Sequence, residues 1–266
     1  MALAQVARLL AGRLRRPRLL AVVHFRDEIR YLPDFLRNVA PQVDGIVALD
    51  DGSSDGSAEL MAAHPAVLEV LRPAPRQPHH FDETRNRRLL CPAAASHGAD
   101  WLIGIDADER LEEDFRRRAA RAIARAQRSG TTALSVIVRE IWDDPRTWRA
   151  DGAWGRKRHA RLFQWRPDAV FDPRPLHGHW APLDSQRDGG FAEADVILYH
   201  LRMLRRADRV ARRERWEAID PRREHQSIGY AHLTDETGLR LEPLPAGRGY
   251  RPLAPAGEDA STEGSR

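Results

Sequence analysis

The sequence predicts an α/β fold, a mostly parallel sheet held between two layers of helices, and three observations carry that expectation. Short apolar runs alternate with segments of helical periodicity from Arg18 to Val138. Two of those runs, Gly45-Ile46-Val47-Ala48-Leu49 and Trp101-Leu102-Ile103-Gly104-Ile105, close abruptly in aspartate-rich turns, as buried strands do. With 266 residues, 42% of them hydrophobic, the chain can bury a full core.

Element by element, Met1 to Arg16 places Leu3, Val6, Leu10 and Leu14 at helical spacing with Arg8, Arg13, Arg15 and Arg16 between them. Residues 1–17 are therefore a candidate amphipathic helix stopped by Pro17, which packs on the domain, frays or lies on an anionic membrane surface. Leu19 to Val23 follows as a strand, and Tyr31 to Val39 as a helix with Leu32, Phe35, Leu36 and Val39 on one face. The strand ending at Leu49, a short helix from Ser57 to His64 and a strand from Val67 to Leu71 continue the alternation. Asp82 to His97 reads as a helix kinked or broken at Pro92, entered from a His79-His80-Phe81 loop. Trp101 to Ile105 is a strand, Glu112 to Arg128 a helix ended at Gly130, and Thr132 to Val138 a further strand.

Beyond Arg139 the regularity fails. Ile141 to Pro182 is dense in Trp, Pro, Gly and Arg and predicts a loop-rich face. Ala194 to Tyr199 is a late strand and Arg205 to Ile219 a helix. The expected organisation is one domain over residues 18–204, a helical appendage over 205–245 and a flexible tail over 246–266.

Composition narrows the function classes. Lys+Arg 43 against Asp+Glu 39 leaves a net charge of only +4, and Lys157 is the single lysine. The arginine rows Arg116-Arg117-Arg118 and Arg212-Arg213 read as solvated helix faces, so no nucleic-acid partner is expected, although arginine suits phosphate through its planar fork. Cys91 alone excludes intramolecular disulfides and thiolate-built zinc sites. No apolar stretch reaches the roughly 18 to 20 residues of a membrane span, and no secretory leader is visible. A cytoplasmic location is expected, with peripheral contact on the inner face of the membrane if the amphipathic segment binds lipid.

Carboxylates clustered at strand ends repel one another, a cost a fold accepts where a cation or hydroxyl-rich ligand occupies the crevice at the carboxyl ends of the strands. Asp50-Asp51-Gly52-Ser53-Ser54-Asp55-Gly56-Ser57 and Asp106-Ala107-Asp108-Glu109 are such clusters. The first matches the opening of a calcium loop at Asp51, Ser53, Asp55 and Gly56, but the closing glutamate falls on Ala62 and the preceding segment is strand-like. Plainer roles exist for single residues. Asp55 can close its own turn, Gly52 and Gly56 can serve backbone conformation, Asp27 can be a cap and Glu109 a first-turn helix charge.

Taken in order, Arg26-Asp27-Glu28, the Asp50 to Ser57 turn, Thr84-Arg85-Asn86 and Asp106-Ala107-Asp108-Glu109 resemble the inverting family-two glycosyltransferases of the GT-A fold, over about Arg18 to Leu201. His200-Leu201-Arg202-Met203-Leu204 with Ile228-Gly229-Tyr230 looks like one bacterial branch of these enzymes. The resemblance implies a GT-A architecture, a nucleotide diphosphate sugar donor, Mg²⁺ or Mn²⁺, and transfer with inversion to a hydroxyl of an unknown glycan, lipid-linked or other acceptor. It implies that Glu28, Asp50 and Asp51 surround the base and ribose, that Arg85 approaches the diphosphate or donor sugar, and that Asp106 lies near the ribose and metal waters. Asp108 would contact the metal directly and His200 would add a metal or phosphate contact. Related sequences often carry a His-Glu pair in the region of His177-Gly178-His179, and this chain lacks that glutamate. The base candidates are therefore Glu140, Asp143, Asp144, His177 and His179, all in the expected acceptor region. A metal-dependent phosphotransferase or nucleotidyltransferase, and a nucleotide-sugar-binding protein without catalysis, are the alternatives.

Overall fold

The computed structural model describes residues 16–74, 82–187 and 189–252. The expected N-terminal amphipathic helix, the His79-His80 loop and the end of the expected tail lie outside the described residues.

The first half of the sheet is the alternation read from the sequence: β1 (Leu19–Phe25), β2 (Ile46–Asp50), β3 (Val67–Leu71) and β4 (Trp101–Gly104), with α1 (Leu32–Val39), α2 (Ser57–Ala63) and α3 (Glu83–Ser96) between them. These four strands are parallel, β1 pairing with β2 and β4, and β2 with β3. The second half comprises β5 (Glu109–Leu111), α4 (Phe115–Ser129), β6 (Ala133–Trp142), β7 (Asp144–Arg149), β8 (Arg158–Phe163), β9 (Ala192–His200), α5 (Arg206–Ile219) and β10 (Leu241–Pro243). The order across the sheet is β10-β7-β6-β8-β4-β1-β2-β3, with β9 parallel to β6 and β5 antiparallel to β9.

Both faces of the central strands are buried, which is why β1 reads as one continuous apolar run. Ala21 and Val23 point to a layer holding Phe35 of α1, Met61 of α2 and Phe115 of α4, whereas Leu20 and Val22 point to Leu90, Cys91 and Ala94 of α3. The result is the three-layer arrangement expected.

The structure departs from the sequence reading in four places. Ile141 to Pro182 contains β7 and β8, because the polar string Arg158-His159-Ala160-Arg161 is held as a strand by β4 on one side and β6 on the other. Helix α3 runs unbroken through Pro92, with Asp82 capping it by accepting from the Arg85 N–H at 2.9 Å. Helix α4 starts at Phe115 and not Glu112, because Glu109 to Leu111 pair with β9 instead. Tyr250, within the expected tail, is fully buried, and its hydroxyl donates to the Pro145 carbonyl at 2.9 Å. A cluster of polar residues hides a strand from sequence periodicity, and a lone aromatic in a Gly- and Pro-rich stretch gives no periodicity to read.

Gly104 positions one wall of the site. A Cβ there would clash with the Trp180 ring, so only glycine lets that indole pack this closely on the end of β4. Gly104→Ala is expected to displace Trp180 and cost about 1–3 kcal/mol. Denaturant unfolding followed by tryptophan fluorescence checks this, and unchanged stability would show that Trp180 yields freely.

Candidate functional site

Parallel pairing brings the ends of β1, β2 and β4 to one edge, so Arg26, Glu28, Asp51 and Asp106 line a single crevice. Its floor is stitched by turn hydrogen bonds. Asp50 accepts from the Ser53 N–H at 2.8 Å, Asp55 from the Ser57 and Ile29 N–H groups at 3.0 Å each, and Asp27 from the Ser54 N–H at 2.7 Å. Ser57 Oγ accepts from the Glu28 N–H at 3.0 Å, tying the two loops together. Asp27, Asp50 and Asp55 thus have structural employment, while Glu28 and Asp51 line the cavity.

Behind the crevice lies a buried ionic network created by strand register. Residue Glu109 pairs opposite His200 in the β5–β9 ladder and Glu140 opposite His200 in the β6–β9 ladder, so three chemistry-bearing residues from distant segments stand side by side. His200 Nδ1 lies 2.6 Å from Glu140 Oε2, and Nε2 lies 3.3 Å from Asp108 Oδ2. Arg202 Nε donates to Asp108 at 2.5 Å, and its Nη2 pairs with Glu28. Arg161, from β8, donates to Asp106 at 2.9 Å and to Glu109 at 2.8 Å. Lys157 pairs with Glu140.

Burial works against the charges of Asp106, Asp108, Glu109, Glu140 and His200, and the pairing outweighs it at all of these but Glu109. Burial opposes the His200 imidazolium, but Glu140 and Asp108 raise its pKa to about 9. Burial would raise the carboxyls of Asp106, Asp108 and Glu140, yet Arg161, Arg202 and His200 respectively hold them below the usual carboxylate range. Glu109 goes the other way: burial pushes it up to about 7 against the opposing Arg161. His200, expected to add a metal or phosphate contact, is therefore held as a cation between two carboxylates.

Two cavities meet at this network. The first, about 290 Å³, is bounded by Glu28, Asp51, Asn86, Asp106, Asp108 and Arg202, and the second, about 590 Å³, reaches toward Trp154, Lys157, His177, His179 and Tyr230. Glu83, Asp106, His200, Arg212 and Trp216 line both. Of the residues singled out from sequence, Glu28, Asp51, Asp106, Asp108 and His200 come together at the first cavity. Arg85 and Asp50 line neither, whereas Asn86 lines the first. Glu140, His177 and His179 line the second; Asp143 and Asp144 do not, Asp143 being tied to Arg209 and Asp144 capping the Arg146 N–H.

The residues present suit a divalent metal of a particular kind. Among the described residues no three His, Cys, Asp or Glu side chains stand together as a ready-made cage. Asp106 and Asp108 offer hard oxygens, and Mg²⁺ or Mn²⁺ is commonly held by one or two carboxylates with substrate phosphates completing the sphere. Asp106 keeps 38% of its side chain open and Asp108 only 5%, so Asp106 is the more accessible of the pair.

Sequence reasoning overlooked Arg161, Arg212 and Trp180. Each sits in a segment read as loop or solvated helix, and only the arrival of β8, of α5 and of the segment packed on Gly104 gives Arg161, Arg212 and Trp180 respectively a role.

A parallel β3-β2-β1-β4 block, continued through an antiparallel β8 to β6 and carrying Asp106-Ala107-Asp108 just past β4, decides the architecture. The fold is of the GT-A type. No family model matches the chain. An uncharacterized protein of Mycobacterium tuberculosis and one of Mycobacterium bovis are each 30% identical over 211 residues, 77% of this chain and 51% of theirs. The chain thus spans about half the length of these relatives. A TPR repeat-containing protein of Synechococcus elongatus is 33% identical over 152 residues, 57% of this chain and 32% of that protein. Among solved structures, TarS of S. aureus superposes with a TM-score of 0.46 at 11% identity, covering 81% of this chain and 68% of that one. Glucosyl-3-phosphoglycerate synthase from Mycobacterium tuberculosis, in a complex with Mn²⁺ and uridine diphosphate, gives a TM-score of 0.32 at 18% identity, covering 51% of this chain and 48% of that one. Among the described residues of this GT-A fold, no helix is long and apolar enough to cross a membrane.

The raised His200 pKa predicts a signed pH dependence in metal-free protein. Its stabilisation is complete below the ordinary value of 6.5 and is lost as pH rises through about 9. Chemical denaturation from pH 6 to 10 is expected to show that decline in the wild type and a flatter profile in His200→Gln. Parallel profiles would remove His200 from the charged network.

Proposed function

We propose that the chain is a glycosyltransferase that moves a sugar from a nucleotide diphosphate sugar to an acceptor hydroxyl with inversion at the anomeric carbon. The observation that carries this reading is the pair of cavities sharing one wall, with the strand-end carboxylates in the first and the neutral rings of His177 and His179 in the second. In this reading the donor occupies the first cavity. Asp51 and Glu28 accept hydrogen bonds from base and ribose, and Arg202 and Arg215 face the diphosphate. Asp106 and Asp108 are the residues to hold Mg²⁺ or Mn²⁺, which when bound supplies positive charge to the leaving diphosphate.

His177 is our choice of base among the five candidates. Glu140 is consumed by Lys157 and His200. Asp220 accepts N–H groups from Glu224, His225 and Gln226 and the Tyr230 hydroxyl at 2.9 Å, so the Tyr230 oxygen is left to accept from His177 Nε2, 3.3 Å away. That assigns the proton to Nε2 and leaves the Nδ1 lone pair as the acceptor. Burial lowers the His177 pKa below 6.5, so the ring is neutral near pH 7. Its backbone, at φ 57, is held in the left-handed region, a strain of the sort stored at functional sites. His177 takes the proton of the acceptor hydroxyl, the oxygen bonds to the anomeric carbon, and the carbon–oxygen bond to the diphosphate breaks on the opposite face.

A panel of nucleotide sugars tested with and without Mn²⁺ checks the reading. One of them at about 100 times its dissociation constant is expected to add roughly 2.7 kcal/mol to stability, and turnover to release nucleotide diphosphate. Absence of both responses across the panel would defeat it. His177→Ala is expected to lower kcat by a factor on the order of 10² to 10⁴ with nucleotide diphosphate affinity unchanged. Full turnover in that variant would return the base to the other candidates.

A further inference from the structure

Charge accounting around the second cavity leaves one cation over. Its lining carboxylates are each matched: Glu83 by Arg87 at 2.5 Å, Asp106 and Glu109 by Arg161, and Glu140 by Lys157 and His200. Arg174, also on the wall, is neutralised by Asp172 at 2.5 Å. Arg212 is different. It lines both cavities from the middle of α5 and, among the described residues, makes no hydrogen bond or ion pair. A half-buried guanidinium with its fork unused, at the junction where transfer would occur, is a ready receptor for an oxyanion.

The wall beside it is aromatic. Trp216 stacks on Tyr230 with centroids 6.1 Å apart and an interplanar angle of 16°, and His177 lies 5.0 Å from Trp216. Trp154 lines the same cavity. Flat rings of this kind present apolar faces to the C–H side of a pyranose while the edges reach polar groups. A volume of about 590 Å³ accommodates a sugar ring with a charged substituent.

We propose that the acceptor is an anionic saccharide, its ring against Trp216 and Tyr230 and its phosphate or carboxylate on Arg212. This rests on the glycosyltransferase reading only in calling the ligand an acceptor. A neutral sugar would leave the Arg212 fork unmatched in a half-buried wall.

The test compares glucose, glucose 6-phosphate and glucuronate by calorimetry on the full chain, in saturating uridine diphosphate and Mg²⁺ so that anions are kept from the donor cavity. Lys157 lines only the second cavity and is the sole lysine, so its protection from reductive methylation, read by peptide mass spectrometry, localises the bound sugar. At least one charged sugar is expected to bind about tenfold more tightly than glucose, equivalent to about 1.4 kcal/mol, and to protect Lys157. Which of the two does so identifies the anion as phosphate or carboxylate. Arg212→Gln is expected to abolish the preference and Arg212→Lys to restore part of it. Equal affinity for charged and neutral sugars, no binding at about 10 mM, or a preference that survives Arg212→Gln would each overturn the proposal. Uridine diphosphate and other nucleotide diphosphates are titrated separately. Their failure to bind would count against glycosyl transfer, and a lost sugar preference with nucleotide binding intact would count against the anionic acceptor alone.

Discussion

The buried ionic network at the carboxyl ends of β1, β4 and β9 is the constraint on which the site depends. Charges taken out of water are costly unless each is paired and hydrogen-bonded, and here the pairs interlock: His200 needs both Asp108 and Glu140, and Arg202 joins Asp108 to Glu28. Removing one member strands its neighbours. The network therefore fixes the relative positions of β5, β6, β8 and β9 at the crevice, of which β5 and β8 carry weak strand signals in their own segments. It also sets what a ligand meets, since Asp106 is open while Asp108 is covered.

The same pairing bears on how a divalent metal would be accommodated. Arg202 and Arg161 compensate the carboxylates, so a cation and an anionic diphosphate bound together would exchange one set of charge partners for another at little net change in charge. Arginine serves this purpose because its several donors allow one group to serve two carboxylates, as Arg161 does with Asp106 and Glu109.

Helix α5 was expected to belong to an appendage, yet it closes both cavities through Arg212 and Trp216. Its sequence reads as polar on nearly all sides, and only Arg209 is buried, its guanidinium over the Trp142 ring and paired with Asp143 and Glu236. A helix held by arginine contacts and not by an apolar stripe gives little periodic signal, which is why its contribution could not be anticipated.

Local chemistry determined what could be known in advance: the parallel β1 to β4 block, from apolar runs buried on both faces, and the grouping of Glu28, Asp51, Asp106 and Asp108 at its edge, from strand-end turns. Those inferences need only neighbours in sequence and a rule about where crevices form. Tertiary structure alone decided that Asp50 stitches a turn while Asp51 lines the cavity, that His200 is clamped as a cation, and that Arg161 and Arg212 join the site. Each of these depends on register between strands or on helix placement across tens of residues. Such pairings are set by the energy of the assembled network, which no single segment carries in its own sequence.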